Sequence, residues 1–532
     1  MASTGYTLVL SFGLSVIFQG IALAQQCFTP SVDRALSAEQ ARAVVFTAKD
    51  EPDVLSQFPL SKTLDNIIKT SRVDPSAPVS EGEREDLLNS LLSGFKQNTL
   101  INPDSKLTFP ITVRTGEAKL TAKDLLDSTG ADFMQPVGLF NRLDLAPKSF
   151  ANCGEYRIVY AKKSSSPTKR FFLIFEAALP NADPQGSREG CKEVASFWNS
   201  LTTMNNQDAG NKLAAFYYDG GVVDGGTVKF EPVVHYRHYG LPDGQVRANA
   251  FLPDAPAFIW HLMQWQIAPN EAGVPVFHNT PVSENPVPAF FGGTPAAALP
   301  TTTYDQIAGQ FRSEFVNRNV WQLIDVDRTA LVQPTTGEAL IDNLGVDIDD
   351  QYYAVESAVA NSDNPRINAA NTPMIAGISG VLAASKVDRC SVTPDQVLNR
   401  MGAMTCAGCH DFSNGAEIAP GVNWPSSLRF VQIDETGALS DLLTKHFLPA
   451  RFDNVQNILG AAFLAQNETP PDLGSQRLVL LQMLDGLKQK GQGFLPDEKA
   501  DASLAIATLL ASQVRSASQA EPGAFTTFRK PD

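Results

Sequence analysis

Cys406-Ala407-Gly408-Cys409-His410 carries the chemistry most specific to this chain. Cys-x-x-Cys-His is the spacing at which a c-type haem is attached. On a helical turn, positions i, i+3 and i+4 share one face. Both thiols can then form thioethers with the porphyrin vinyl groups while the imidazole reaches the iron. With six Cys and six His in 532 residues, a chance match is expected in roughly one of a thousand such chains. The same residues also read as a local Cys406–Cys409 disulfide, as part of a zinc site, or as a redox dithiol. Zinc would want further ligands nearby, and no second Cys-x-x-Cys occurs. A thioredoxin-type dithiol would want a βαβ pattern, which the flanking sequence lacks. The pentad therefore predicts one covalent haem c on Cys406 and Cys409, with His410 as the proximal iron ligand.

The elements that must position the pentad are helical. Thr393-Pro394-Asp395-Gln396 combines an N-cap, a proline at the first helical position and a capping-box glutamine. Val397, Met401 and Met404 mark the buried face of a helix running into Cys406, and Ser413-Asn414-Gly415 ends it. Later helices are expected over 437–447, 453–466, 474–489 and 498–515. This order resembles a class I c-type cytochrome domain over roughly residues 393–515, with the pentad as the specific part. The resemblance implies that His410 is the proximal ligand, that Cys406 and Cys409 are the thioether positions, and that a downstream Met lies opposite. Met483 is the Met after the pentad, although Leu478-Val-Leu-Leu-Gln-Met-Leu484 reads as a buried helix. His446 competes, because Leu439, Leu442, Leu443 and His446 fall on one apolar face. An open iron, or a ligand from the N-terminal domain, is the third possibility, and the choice sets the reaction. Arg429, Arg451, Arg477 and Trp424 are candidate propionate partners. Phe412, Leu428, Phe430, Phe447 and Leu448 would exclude water.

Upstream, residues 25–345 read as an α+β unit, helical over 25–130 and sheet-rich over 131–345, with 346–392 as a connector. Ser37-Ala-Glu-Gln40 is a capping box, and Leu87, Leu88, Leu91, Leu92 and Phe95 share a helical face. Tyr156–Tyr160 and Phe171–Phe175 flank a Ser-rich turn and predict a hairpin. A helix follows from Cys191, with Val194, Phe197, Trp198 and Leu201 inward. Extended segments at 227–239, 246–252 and 257–267 point to a mostly antiparallel sheet, and 268–305 reads as a long loop or boundary. The fold class expected is thus α+β: a mixed α/antiparallel-β region, then an all-α cytochrome c-like domain over 393–532.

Thr7–Ala24 is an apolar run ending in Ala22-Leu23-Ala24, so residues 1–24 read as a secretory signal peptide. No Lys or Arg precedes the run, which leaves an uncleaved anchor as the alternative. No other segment is apolar enough to span a bilayer. An exported chain would be periplasmic, or extracellular at the cell surface. There Cys27, Cys153, Cys191 and Cys390 can pair. Cys153 with Cys191 is the easiest pair to motivate, one preceding a strand and the other opening a helix, and it leaves Cys27 with Cys390. A net charge of −15 without a basic block argues against nucleic acid and acidic membrane surfaces. It suits solubility, or a basic redox partner protein.

His235 and His238, with His261 and His278, form a second cluster. On a strand, 235 and 238 would point to opposite faces, which argues for structural histidines over a copper or zinc site. Asp325-Val-Asp327 and Asp347-Ile-Asp-Asp350 lack EF-hand spacing and read as turn and cap residues. No nucleophile elbow, phosphate loop or dinucleotide fingerprint occurs. Three functional readings remain. The first is an exported mono-haem cytochrome performing one-electron transfer. The second is a peroxidase- or oxidase-like haem enzyme with an open site between its domains, and the third a cell-surface binding protein with an ancillary haem domain.

Overall fold

The computed structural model describes residues 27–30, 34–163, 169–183, 185–222, 228–240, 244–252, 260–292, 301–359 and 363–460. Met483, Arg477, the expected signal peptide and the helices expected beyond 460 lie outside them. The fold is mixed, with helices packed around one antiparallel sheet.

The sheet contains β1 (Val45–Thr47), β2 (Met134–Arg142), β3 (Asn152–Lys162), β4 (Phe171–Pro180), β5 (Gln245–Ala250), β6 (His261–Pro269), β7 (Pro275–Thr280) and β8 (Ser357–Ala358). Strands β1 to β7 pair in chain order, each antiparallel to the next, and β8 pairs with β6 at His261 and Leu262. The predicted hairpin is β3–β4, with Ile158 opposite Phe175 and Tyr160 opposite Leu173.

Because side chains alternate across a strand, this register gives the sheet two different faces. Leu139, Ile158, Phe175, Val246 and Trp265 form one row of the first face. The helices α1 (Leu60–Ser71), α2 (Glu81–Ser93), α3 (Arg188–Ser200) and α4 (Asn206–Tyr218) cover that face. Phe95 meets Trp265 edge-on at 5.3 Å, and Trp198 stacks on Tyr156 at 6.1 Å. Rows on the second face read Phe140, Arg157, Glu176, Gln245 and then Val159, Ile174, Arg247, Gln264. Charged groups there are buried, not solvated. The chain from Pro394 onward covers them, and a Cβ on Gly138 of β2 would stand 2.8 Å from Ile433 Cδ1.

Several expectations hold. Ser37 and Thr393 cap their helices with capping boxes. Leu87, Leu88, Leu91, Leu92 and Phe95 are buried together, and α3 starts just before Cys191 under a Ser187 cap. Both disulfides pair as expected, Cys27–Cys390 and Cys153–Cys191, with Cα separations of 5.4 and 5.3 Å.

Others are corrected. The segment 227–239 is a strand only over Val228–Phe230, and Tyr236–Tyr239 is a 3₁₀ turn. The expected loop at 268–305 contains β7, an edge strand that tolerates Pro275 at its start. It also contains the start of α5 (Thr301–Glu314). Within 393–460 two short strands, Glu417–Ala419 and Val422–Asn423, form a hairpin among the helices. The helices expected at 437–447 and 453–466 are one helical run, with a π turn over Leu443–Phe447 leading into Leu448–Ile458. One buried apolar cluster extends from Cys27 to Ile458 across the boundaries drawn at 345 and 393. Among the described residues no helix is long and apolar enough to cross a membrane.

Candidate functional site

The pentad is held from both directions along the chain. The helix Pro394–Ala403 carries Arg400, which is fully buried. Its Nε donates to the Ile418 carbonyl at 2.7 Å, Nη1 donates to Leu323 at 2.9 Å, and the guanidinium pairs with buried Asp327. The chain then turns on Thr405, whose hydroxyl donates to the Gly402 carbonyl at 2.7 Å and accepts from the Gly408 N–H at 3.1 Å. The Cys406 N–H donates to Asn285 Oδ1 and the Ala407 N–H to Ser357 Oγ, each at 3.1 Å. Buried amides that a helix start would leave orphaned are thus satisfied by residues remote in sequence.

Gly408–Phe412 forms a π turn, a geometry common at functional sites. A Cβ on Gly408 would lie 1.9 Å from the Gly402 carbonyl oxygen, so the close approach requires glycine here.

Cys406 and Cys409 are buried thiols, with no disulfide between them. Burial pushes Cys406 up to about 11 and Cys409 up to about 12. Both are protonated at neutral pH, which is the opposite of the activated thiolate a dithiol oxidoreductase needs. His410 is 2% exposed and stacks on Trp260 with ring centroids 4.9 Å apart. Its Nδ1 lies 2.8 Å from the Phe430 carbonyl oxygen, which can only accept, so Nδ1 carries the proton. Burial lowers this imidazole to about 4, and it is neutral at pH 7. Nε2 is left as a buried lone pair with no partner. A ring fixed through Nδ1–H with a free Nε2 is the arrangement of a metal-ligating histidine. The donors of Cys406, Cys409 and His410 do not converge as zinc ligands would, and among the described residues only another group does so.

His410 lines a narrow cleft whose water-accessible volume is about 40 Å³. A planar ring entering it would have to move side chains. The sheet supplies Phe140, Val159, Phe172 and Ile174 as apolar wall, with Arg157 and Asn249, and the later chain supplies Val431, Gln432, Ile433, Leu443 and Arg451. Beside it lies a buried charge network. Arg157 meets Glu155 at 2.8 Å and Glu176 at 3.6 Å, Arg247 meets Glu176 at 3.6 Å, and Arg142 pairs with Asp144 at 3.0 Å. Arg451 lies 3.8 Å from the same Asp144.

The structure brings Cys406, Cys409, His410 and Arg451 together. His446 is buried, but the residue of its π turn that lines the cleft is Leu443. Arg429 offers its carbonyl to Arg170 at 2.8 Å and is not a cleft residue. Trp424 is buried against Phe447. Leu428 and Phe430 are partly buried around the segment whose carbonyl holds His410. Of the competing acidic groups, Asp327 pairs with Arg400, and Asp347 and Asp349 pair with Arg318 at 2.9 and 3.0 Å. His261 contacts Glu356 at 3.3 Å. Sequence reading missed Arg142, Arg157 and Arg247. Their signal was an arginine placed inside otherwise apolar strand runs, such as Tyr156-Arg-Ile-Val-Tyr160.

Comparison with protein-family profiles, with curated proteins and with solved structures finds no match for this chain.

Proposed function

We propose that this chain is an exported mono-haem c-type protein performing one-electron transfer, with Cys406 and Cys409 as thioether positions and His410 Nε2 as the proximal iron ligand. Bound haem would supply a one-electron iron couple in surroundings that exclude water. The observation that carries the reading is the unpartnered, buried Nε2 of His410, with its ring fixed by the Phe430 carbonyl. The chain's own part is to hold that imidazole neutral, to seal it under Trp260, and to wall the cleft with Phe140, Val159, Phe172 and Ile174. Residues 393–532 would form the haem-bearing part, closed by the helices expected beyond 460. The two disulfides suit a periplasmic or extracellular location. The net charge of −15 suits a basic redox partner.

A second reading, a haem enzyme with an open distal position, is favoured by the cleft lining. Among the described residues the cleft offers no Met and no second His, whereas Asn249, Gln432, Arg157 and Arg451 could bind a small polar molecule. Absorption and resonance spectra of the chain produced with a cytochrome c maturation system separate the two. Low-spin, six-coordinate ferric haem with a methionine charge-transfer band supports electron transfer through Met483. High-spin haem that binds cyanide readily supports the enzyme. Haem that washes off the denatured chain removes both readings.

A further inference from the structure

Glu231, His235 and His238 lie on the face of the sheet opposite the pentad, and the strand geometry that separated the two histidines is not what forms. His235 caps the 3₁₀ turn Tyr236–Tyr239, and its ring lies 5.0 Å from that of His238. The turn is pinned by neighbours on regular elements. Asn66 of α1 donates to the Val234 carbonyl at 2.7 Å, Thr70 accepts from the Tyr236 N–H at 3.0 Å, and the Val234 N–H donates to Tyr217 of α4 at 2.8 Å. Tyr239 packs edge-on against Phe175.

We propose that Glu231, His235 and His238 form a three-ligand site for a divalent transition cation, zinc in the first instance. One donor atom from each lies within 4.8 Å of the other two. His238 is fully buried, and its Nδ1 lies 3.1 Å from the Val233 carbonyl oxygen, to which it would donate once a cation takes Nε2. Its Nε2 faces Glu231 Oε2 at 3.2 Å. An Nδ1–H held by a backbone carbonyl is the second-sphere arrangement which fixes a ligating histidine. Glu231 is half exposed, so a metal held by two imidazoles and this carboxylate keeps an open, solvent-facing position, the donor set of three-ligand zinc sites. His235 is 6% exposed, so two buried imidazoles stand beside the carboxylate. The cost is one long hydrogen bond. His235 Nδ1 accepts from the Arg237 N–H at 3.2 Å, and whichever nitrogen takes the metal gives that bond up. Arg237 Nη2, 3.9 Å from Glu231, is the cation that zinc must displace.

The test is calorimetric titration of Zn²⁺ into the untagged, chelator-treated, haem-loaded chain. It is repeated in Cys406→Ala/Cys409→Ala, where the thiols cannot compete. One saturable equivalent is expected in both. Glu231→Gln, a half-exposed position that keeps the fold, and His235→Gln should each weaken binding by about tenfold or more. His278→Gln should leave it unchanged. Absence of saturable binding would overturn the site. So would unchanged affinity in Glu231→Gln and His235→Gln, which would leave Glu231 as a plain hydrogen-bond partner of His238. Failure of haem attachment leaves this result intact, because the site lies across the sheet from the pentad.

Discussion

Arg400→Met is the most exacting probe of how the pentad is held. The guanidinium satisfies three acceptors at once: the carbonyls of Leu323 and Ile418, and the carboxylate of Asp327. Arg400 and Asp327 have side chains 0% exposed. Methionine fills similar volume but donates nothing. Breaking a buried pair costs about 3–5 kcal/mol, and each stranded carbonyl adds about 1–3. Since the terms are not additive, about 5 kcal/mol is expected, against a total stability of about 5–15 for a folded protein. Burial already raises the Asp327 carboxyl above its usual range despite Arg400. Without the cation it rises further. A carboxyl whose folded pKa exceeds its unfolded one stabilises fully below the unfolded value, and that contribution is lost as pH climbs through the folded value. The deficit of Arg400→Met should therefore shrink as pH falls from 8 toward 5. Arg400→Met/Asp327→Leu should regain at pH 8 the part of the loss owed to the stranded carboxylate, and show little of this pH dependence. Urea unfolding followed by tryptophan fluorescence reads all three. A single-mutant cost under about 1 kcal/mol, or a double mutant no better than the single, would refute the account.

Gly408→Ala forces a Cβ to within 1.9 Å of the Gly402 carbonyl oxygen. The cost should exceed the about 1–3 kcal/mol of ordinary overpacking, with haem attachment measured per chain falling alongside stability. Asn285→Ala strands the Cys406 N–H in a dry environment and should cost about 1–3 kcal/mol in urea. Ser357→Ala does the same to Ala407, and the pair together should lose less than the sum if they steady one turn. Removing Cys153–Cys191, whose ends are 38 residues apart, should cost about 4 kcal/mol by loop-closure entropy, read as a lower urea midpoint.

What the sequence disclosed was local chemistry and short-range periodicity. The pentad, the Thr393 capping box, the β3–β4 hairpin and both disulfides are all legible because each follows from residues a few positions apart or from few cysteines. The site's outer half is not legible in that way. Asn285, Ser357, Trp260 and Phe430 reach the pentad through tertiary packing, and none sits in a motif. The division into an α+β unit and a separate helical unit rests on composition along the chain, which cannot register that the helical part lies on the sheet. The His235–His238 separation failed for a related reason. A strand over 227–239 is a fair reading of Val, Phe and Tyr, but tertiary anchoring by Asn66 and Thr70 winds the segment into a 3₁₀ turn.

The two faces of the sheet carry a final point. Its first face is an apolar core of the ordinary kind, covered by helices. Its second face buries Glu155, Glu176, Arg157, Arg247 and Gln245 at 4% exposure or less, under a segment with ample apolar residues of its own. Buried ion pairs of this type rarely outperform well-packed apolar side chains in stability, because desolvating each charge costs several kcal/mol. A fold concerned only with stability would gain from apolar side chains at those positions, as β3 and β4 use on their other side with Ile158, Leu173 and Phe175. The cost falls where it does because the charges cluster at one place, alongside Cys406, Cys409 and His410, with Arg142 and Arg451 at the same end. Fixed charges in a dry cleft act strongly on any group whose own charge changes there. In the reading proposed above, they would act on a redox group held at the junction of sheet and pentad.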